Sequence, residues 1–226
     1  MRPDKDSLKF LLGSSALSVI LWFLPLAWLV VYPFRLFVSF IHEGGHALAT
    51  LLTLGSVEVI RIHLNGSGET YSRGGMSLLI ASAGYLASTA YGASLLLLCR
   101  RGRNAKAVLV TTAAVILGLT VFFTKGLFGW LAGLGLVLLL LVVVLLASAR
   151  LAHFFLSFLA VQCCLNALFD LGLLFQLSTT STAPNDALTM QRLTWIPAPF
   201  WAALWLATSL LVLWFALRSY ARQEKP

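Results

Sequence analysis

Charge is scarce in this chain. Only 11% of its 226 residues are Asp, Glu, Lys or Arg and just eight are acids, whereas 59% are hydrophobic. That balance excludes an ordinary soluble domain and points to a polytopic membrane protein. Cysteine is scarce as well: Cys99, Cys163 and Cys164 are odd in number and lie in apolar runs, so no disulfide framework is implied. Acids are outnumbered by 16 Lys and Arg, for a formal net charge of +8. Even so, the densest basic stretch, "RRGRNAK" at 100–106, is too short for a nucleic-acid platform. It separates two apolar runs and reads as a determinant of membrane topology, so no nucleic-acid partner is expected. The N-terminal apolar run is long for a signal peptide and lacks a small-residue cleavage site, and it reads as the first span.

What the chain has instead is apolar length. A hydrocarbon core needs roughly 20 residues at about 1.5 Å rise each. Intervals of that kind cover approximately 10–32, 34–54, 75–99, 107–124, 127–149, 151–177 and 197–217. The expected fold is an all-α polytopic membrane protein, a single domain over 1–226 with about seven transmembrane helices. Trp195, Trp214 and Tyr220 bracket the last span as interfacial anchors would. Between the second and third spans the pattern changes. "VEVIRIHLNGSGETYS" at 57–72 alternates Ile60, Ile62 and Leu64 against Arg61 and His63 before reaching Asn65-Gly66, which predicts a small membrane-associated β-hairpin. Gly84, Ser88 and Gly92 stand four residues apart in the third span, a spacing that lets helices pack closely.

The second span contains "SFIHEGGHALAT". On a helix His42 and His46 share one face a turn apart and can grip one metal ion. Glu43 projects beside that face, where it can take a proton from metal-activated water. A chance H-E-x-x-H has a probability of roughly 0.001 in a chain of this composition. The bland alternative is a set of buried polar residues satisfying one another. Intramembrane ionisable groups cost at least about 2.5 kcal/mol each, so an idle trio is hard to sustain.

A tetrahedral zinc site with an open position needs a third protein ligand. Six of the eight acids (Asp4, Asp6, Glu58, Glu69, Asp186 and Glu224) fall in termini or connecting segments, and only Asp170 joins Glu43 inside an apolar span. Asn166 lies one turn before Asp170, where it can orient the carboxylate, bond a substrate carbonyl or make an interhelical contact. Asp186, beside Asn185 in the polar stretch "STTSTAPND", is the rival third ligand, with a helix cap or loop turn as its alternative role. Cys163 reads as core packing rather than a soft ligand, His63 as an exposed hairpin residue and His153 as an interfacial one.

"FIHEGGHALATLLTLGSVEVIRI", then a glycine-containing hairpin, "ASAGYLAS" and a later intramembrane aspartate together resemble the site-2 protease family of intramembrane zinc metallopeptidases, in particular its compact, short-looped branch. The resemblance implies a zinc-dependent metalloendopeptidase holding one Zn²⁺ per chain. His42, His46 and Asp170 would be ligands, Glu43 the general base, and the hairpin an element that holds extended substrate. Asn166-Ala-Leu-Phe-Asp170-Leu-Gly172 departs from the family's Asn-Pro…Leu-Asp-Gly context by lacking the proline and displacing the glycine. Expected partners are a membrane-protein or peptide substrate and the lipid bilayer, and the expected location is a multi-pass position in a bacterial plasma membrane. The alternatives are a membrane metal-binding or transport protein and a catalytically silent relative that binds transmembrane partners.

Overall fold

A computed structural model describes residues 5–24, 26–100, 104–181 and 184–221. The centre of the basic 100–106 loop, residues 182–183 of the polar stretch, Asp4 and Glu224 lie outside the described residues. The chain is mostly helical: α1 (Lys5–Phe23), α2 (Ala27–Leu52), β1 (Ser56–Ile62), β2 (Gly68–Arg73), α3 (Ser77–Cys99), α4 (Ala105–Phe123), α5 (Leu127–Leu146), α6 (Ala149–Thr180), α7 (Asp186–Thr194) and α8 (Ala198–Ala221). Five of these helices, α3, α4, α5, α6 and α8, are long and apolar enough to cross a membrane.

The other two expected spans differ. Lys5, Asp6 and Lys9 load the start of α1, and Arg35, His42, Glu43 and His46 interrupt α2. Direction matters as well. Helix α1 packs on α6, where Ser7 Oγ lies 3.3 Å from His153 Nε2 and Gln162 Nε2 donates to Ser18 Oγ at 3.4 Å. Phe34 packs on Phe155 and Phe158 while His42 and Asp170 line one cavity, so α2 and α6 run the same way. The parallel course of α2 and α6 brings the motif and Asp170 to one depth.

The hairpin forms where the alternation and turn chemistry predict it. Its strands pair antiparallel from Ser56 with Arg73 to Ile62 with Gly68, with a bulge between Val57 and Val59. At the turn Gly66 adopts φ +83°, and Asn65 Oδ1 accepts from Ser67 N at 3.0 Å. The hairpin folds back along α2: Tyr32 OH donates to Leu64 O at 2.5 Å, and Ser39 Oγ donates to Gly66 O. Lys125 N donates to Ile60 O at 3.0 Å, so the turn between α4 and α5 closes the outer edge of β1. Among the described residues no backbone hydrogen bond closes the outer edge of β2, which lines the cleft described below.

Phe37, Phe40, Leu95, Leu109, Ile116, Leu156 and Leu159 are fully buried in the main core. Hydroxyl pairs staple helices within it: Thr89 to Ser209 across α3 and α8, and Tyr91 with Thr112 across α3 and α4, both at 2.8 Å. A smaller cluster around Ala81, Leu171, Leu174, Met190, Ala202 and Trp205 seats α7.

The two glycines inside the motif allow close packing. A Cβ on Gly45 would lie 2.6 Å from Ala87 Cβ and 2.7 Å from Ala83 O, both fixed on α3, whereas one on Gly44 would meet the mobile end of Leu119 at 2.8 Å. Gly45→Ala is expected to destabilise the protein by roughly 1–3 kcal/mol through overpacking, and Gly44→Ala by clearly less. Thermal unfolding of the two variants in one detergent checks this, and equal losses would mean that α2 and α3 separate without cost.

Candidate metal centre

Helix periodicity sets the first two residues. The His42 and His46 rings stand 4.8 Å apart, with Nε2 to Nε2 at 3.0 Å. His46 Nδ1 meets Ile80 O at 2.7 Å, so Nδ1–H donates to that carbonyl and the Nε2 lone pair faces the cleft. His42 is held by edge contact with Tyr85 at 4.5 Å, and Tyr85 stacks on Trp205 at 5.6 Å.

The third group comes from α7. Asn185 is its N-cap, accepting from Leu188 N at 2.9 Å, which leaves Asp186 as the first helical residue, near the positive end of the helix dipole. Asp186 Oδ2 lies 3.4 Å from both His42 Nε2 and His46 Nε2. Burial works against its charge, but the two imidazoles outweigh burial and hold the carboxyl well below the usual carboxylate range.

The donor set fits a metal. Tetrahedral zinc binds nitrogen and oxygen at about 2.0–2.2 Å, which separates its ligand atoms by about 3.3–3.5 Å. Both Asp186 distances match that edge, and the 3.0 Å between imidazoles is slightly tighter. The space between the ligands is kept open by Gly84 on α3. A Cβ there would lie 2.4 Å from His42 Nε2 and 2.5 Å from His46 Nε2, close to where an ion must sit.

The other candidate residues fall elsewhere. Asp170 lines a neighbouring cavity with Arg35, Ser39, His42 and Glu43. It is outside the group of His42, His46 and Asp186, whose ligand atoms all lie within 4.8 Å of one another. The reason is α7, which packs on α8 and α3 and presents Asp186 to the imidazoles. Asn166 Nδ2 donates to Gln162 O at 2.8 Å, within its own helix. Cys163 packs against Gly92 on α3. His63 is exposed, 3.8 Å from Glu69 Oε1. His153 is buried, with its Nε2 2.6 Å from Cys99 O at the meeting of α1, α3 and α6.

Glu43 is buried beside the ligands without joining them. Thr70 Oγ1 donates to its Oε2 at 2.6 Å, and a Cβ on Gly68 would lie 2.7 Å from its Oε1. Sequence reasoning missed Thr70 and Gly68, and it read Gly84 as packing alone. Nothing local marks them, because each acts across the fold. Glu43, Gly68 and Thr70 border an open cleft of about 810 Å³ formed by the motif, the free edge of β2, the start of α3 and α7.

A bundle of membrane-crossing helices with a His-x-x-x-His pair, a converging carboxylate and an adjacent glutamate has the parts of a membrane metallopeptidase. A family model described as Peptidase M50B-like matches residues 14–216, and the chain belongs to that family, the site-2 protease family of metallopeptidases. No curated protein and no solved structure matches it.

Gly84→Ala is expected to abolish stoichiometric metal binding while leaving helix content by circular dichroism unchanged. Wild-type metal content in that variant would mean that the imidazoles swing clear of the new methyl group.

Proposed function

We propose that this protein is a zinc-dependent intramembrane endopeptidase. His42, His46 and Asp186 hold the zinc, Glu43 is the general base, and membrane-protein segments are the substrates. The observation that carries the reading is the convergence of two imidazoles and one carboxylate on a space that Gly84 keeps empty. When bound, zinc supplies Lewis acidity for the scissile carbonyl and lowers the pKa of water towards about 7.

The chain's own groups account for the remainder. Thr70 holds Oε2 of Glu43, which leaves Oε1 above Gly68 to take a proton from the attacking water and return it to the leaving amine. A transmembrane helix hides its carbonyls in internal hydrogen bonds, so the substrate must unwind before attack. The free edge of β2 offers the exposed groups a partner by strand addition, directly beside Glu43.

Metal analysis of detergent-purified protein tests the ligand set. About one zinc per chain is expected in wild type, lost in His46→Ala and Asp186→Ala and kept in Asp170→Ala. The opposite behaviour of the two aspartates would reassign the third ligand to Asp170. Glu43→Gln should retain zinc and lower kcat by about 10²-fold or more. Normal cleavage by that variant would remove Glu43 as base, and wild type that neither holds nor takes up zinc would favour a silent membrane-interaction protein.

A further inference from the structure

Beside the metal cleft lies a second cavity of about 200 Å³, on the side of Glu43 that faces the hairpin tip. Arg35 and Ser39 of α2 form one wall and residues 66–68 another, while α6 contributes Asp170 and a floor of Leu173, Leu174 and Leu177. The two spaces share His42, Glu43, Gly68, Tyr85 and Asn185, so they meet at Glu43. Pockets for independent small ligands typically measure about 300–1,000 Å³. This one suits a single side chain. Its wall is fixed in advance by the bonds from Tyr32 to Leu64 O and from Ser39 to Gly66 O.

The lining has an unusual charge pattern. Arg35 and Asp170 lie in each other's field. Among the described residues, however, the two side chains form no ion pair or hydrogen bond with one another or with any third group. An apolar occupant would leave the half-buried Asp170 carboxylate on α6 unpartnered, which is costly, and would cover the Arg35 guanidinium at the mouth of the cavity. A cation drawn to Asp170 is repelled by Arg35, and an anion meets the reverse. A carboxamide suits both, since its NH₂ can donate to the carboxylate and its carbonyl can accept from the guanidinium. Its methylene stem would lie on the leucines.

We propose that this cavity is a substrate subsite selective for a glutamine or asparagine side chain close to the scissile bond, on the flank facing the hairpin tip. The proposal rests on the peptidase reading above. A strand laid along the free edge of β2 with its carbonyl at the metal centre continues over Gly68 towards the tip. Alternate side chains then point into the cavity. Gly68, lacking a side chain, leaves the passage open.

The test is cleavage of a set of transmembrane-peptide substrates that carry Gln, Asn, Leu, Lys or Glu at each position flanking the scissile bond. Wild type should favour Gln or Asn at one position on one flank, by about 10–10²-fold in kcat/KM over Leu, Lys and Glu. Asp170→Asn leaves Arg35 alone and should shift the preference towards Glu. Arg35→Met leaves Asp170 alone and should shift it towards Lys. Zinc content should hold in both variants, which separates a specificity change from loss of the metal centre or the fold. A flat profile on both flanks, or a preference that neither variant moves, overturns the subsite and leaves the peptidase reading standing. Zinc loss in Asp170→Asn overturns it by making Asp170 a ligand. Failure of wild type to cleave any peptide overturns both.

Discussion

The approach of Asp186 to the His42 and His46 pair is the contact on which the rest of the structure depends. Two imidazoles and a carboxylate are expensive to carry into a helical membrane body singly, and they become tolerable together, most of all around a cation. Meeting this constraint shapes both helices concerned. α2 must present a turn of polar residues at the depth where α7 begins, and α7 must start with a capped, acid-bearing first turn. The smaller hydrophobic cluster, built on Met190 and Trp205, fixes that short helix where its dipole and its first residue both serve the site.

The hairpin answers a second constraint. Open strand edges are not tolerated against lipid, because their amide and carbonyl groups find no partner there. The two edges are treated differently. The outer edge of β1 is taken by the turn between α4 and α5 through Ile60 and Lys125, while that of β2 faces the cleft, which polar groups line on several sides. Anchoring the hairpin along α2 through Tyr32, Ser39 and Glu43 prevents it from swinging out to expose that edge to lipid. The same bonds bring the strand to the glutamate, so protection of the edge and its position beside Glu43 have a common cause.

Local features were legible and long-range ones were not. His42, Glu43 and His46 follow from helical periodicity, and the hairpin follows from β-branched alternation ending in Asn65-Gly66. Which aspartate faces the imidazoles depends on how a short helix re-enters the bundle, and hydropathy says nothing of that. Asp170 sits in an apolar run and looks intramembrane, whereas Asp186 sits in a polar stretch and looks like loop. The available signal was local: Asn185 before a nine-residue helix, followed by Pro197, is a capped helix with its acid in the first turn.

Besides the exposed Glu69, three carboxylates border the two connected spaces, and their neighbours set them apart. Asp186 faces two imidazoles and is suited to hold a cation. Glu43 accepts from Thr70 and touches Gly68, which suits it to move a proton while staying in place. Asp170 shares a cavity with Arg35 and, among the described residues, has no ion pair or hydrogen bond, which suits it to receive a partner from outside. The other acids whose pairing is visible stand at the surface with ordinary partners, such as Glu58 with Arg73 at 2.9 Å. Carboxylates of one chemical kind separate into different roles when their surroundings differ. Here the separation follows from which helix carries each acid: the motif helix places Glu43 beside Thr70, the short α7 places Asp186 against two imidazoles, and the long α6 places Asp170 in the cavity with Arg35.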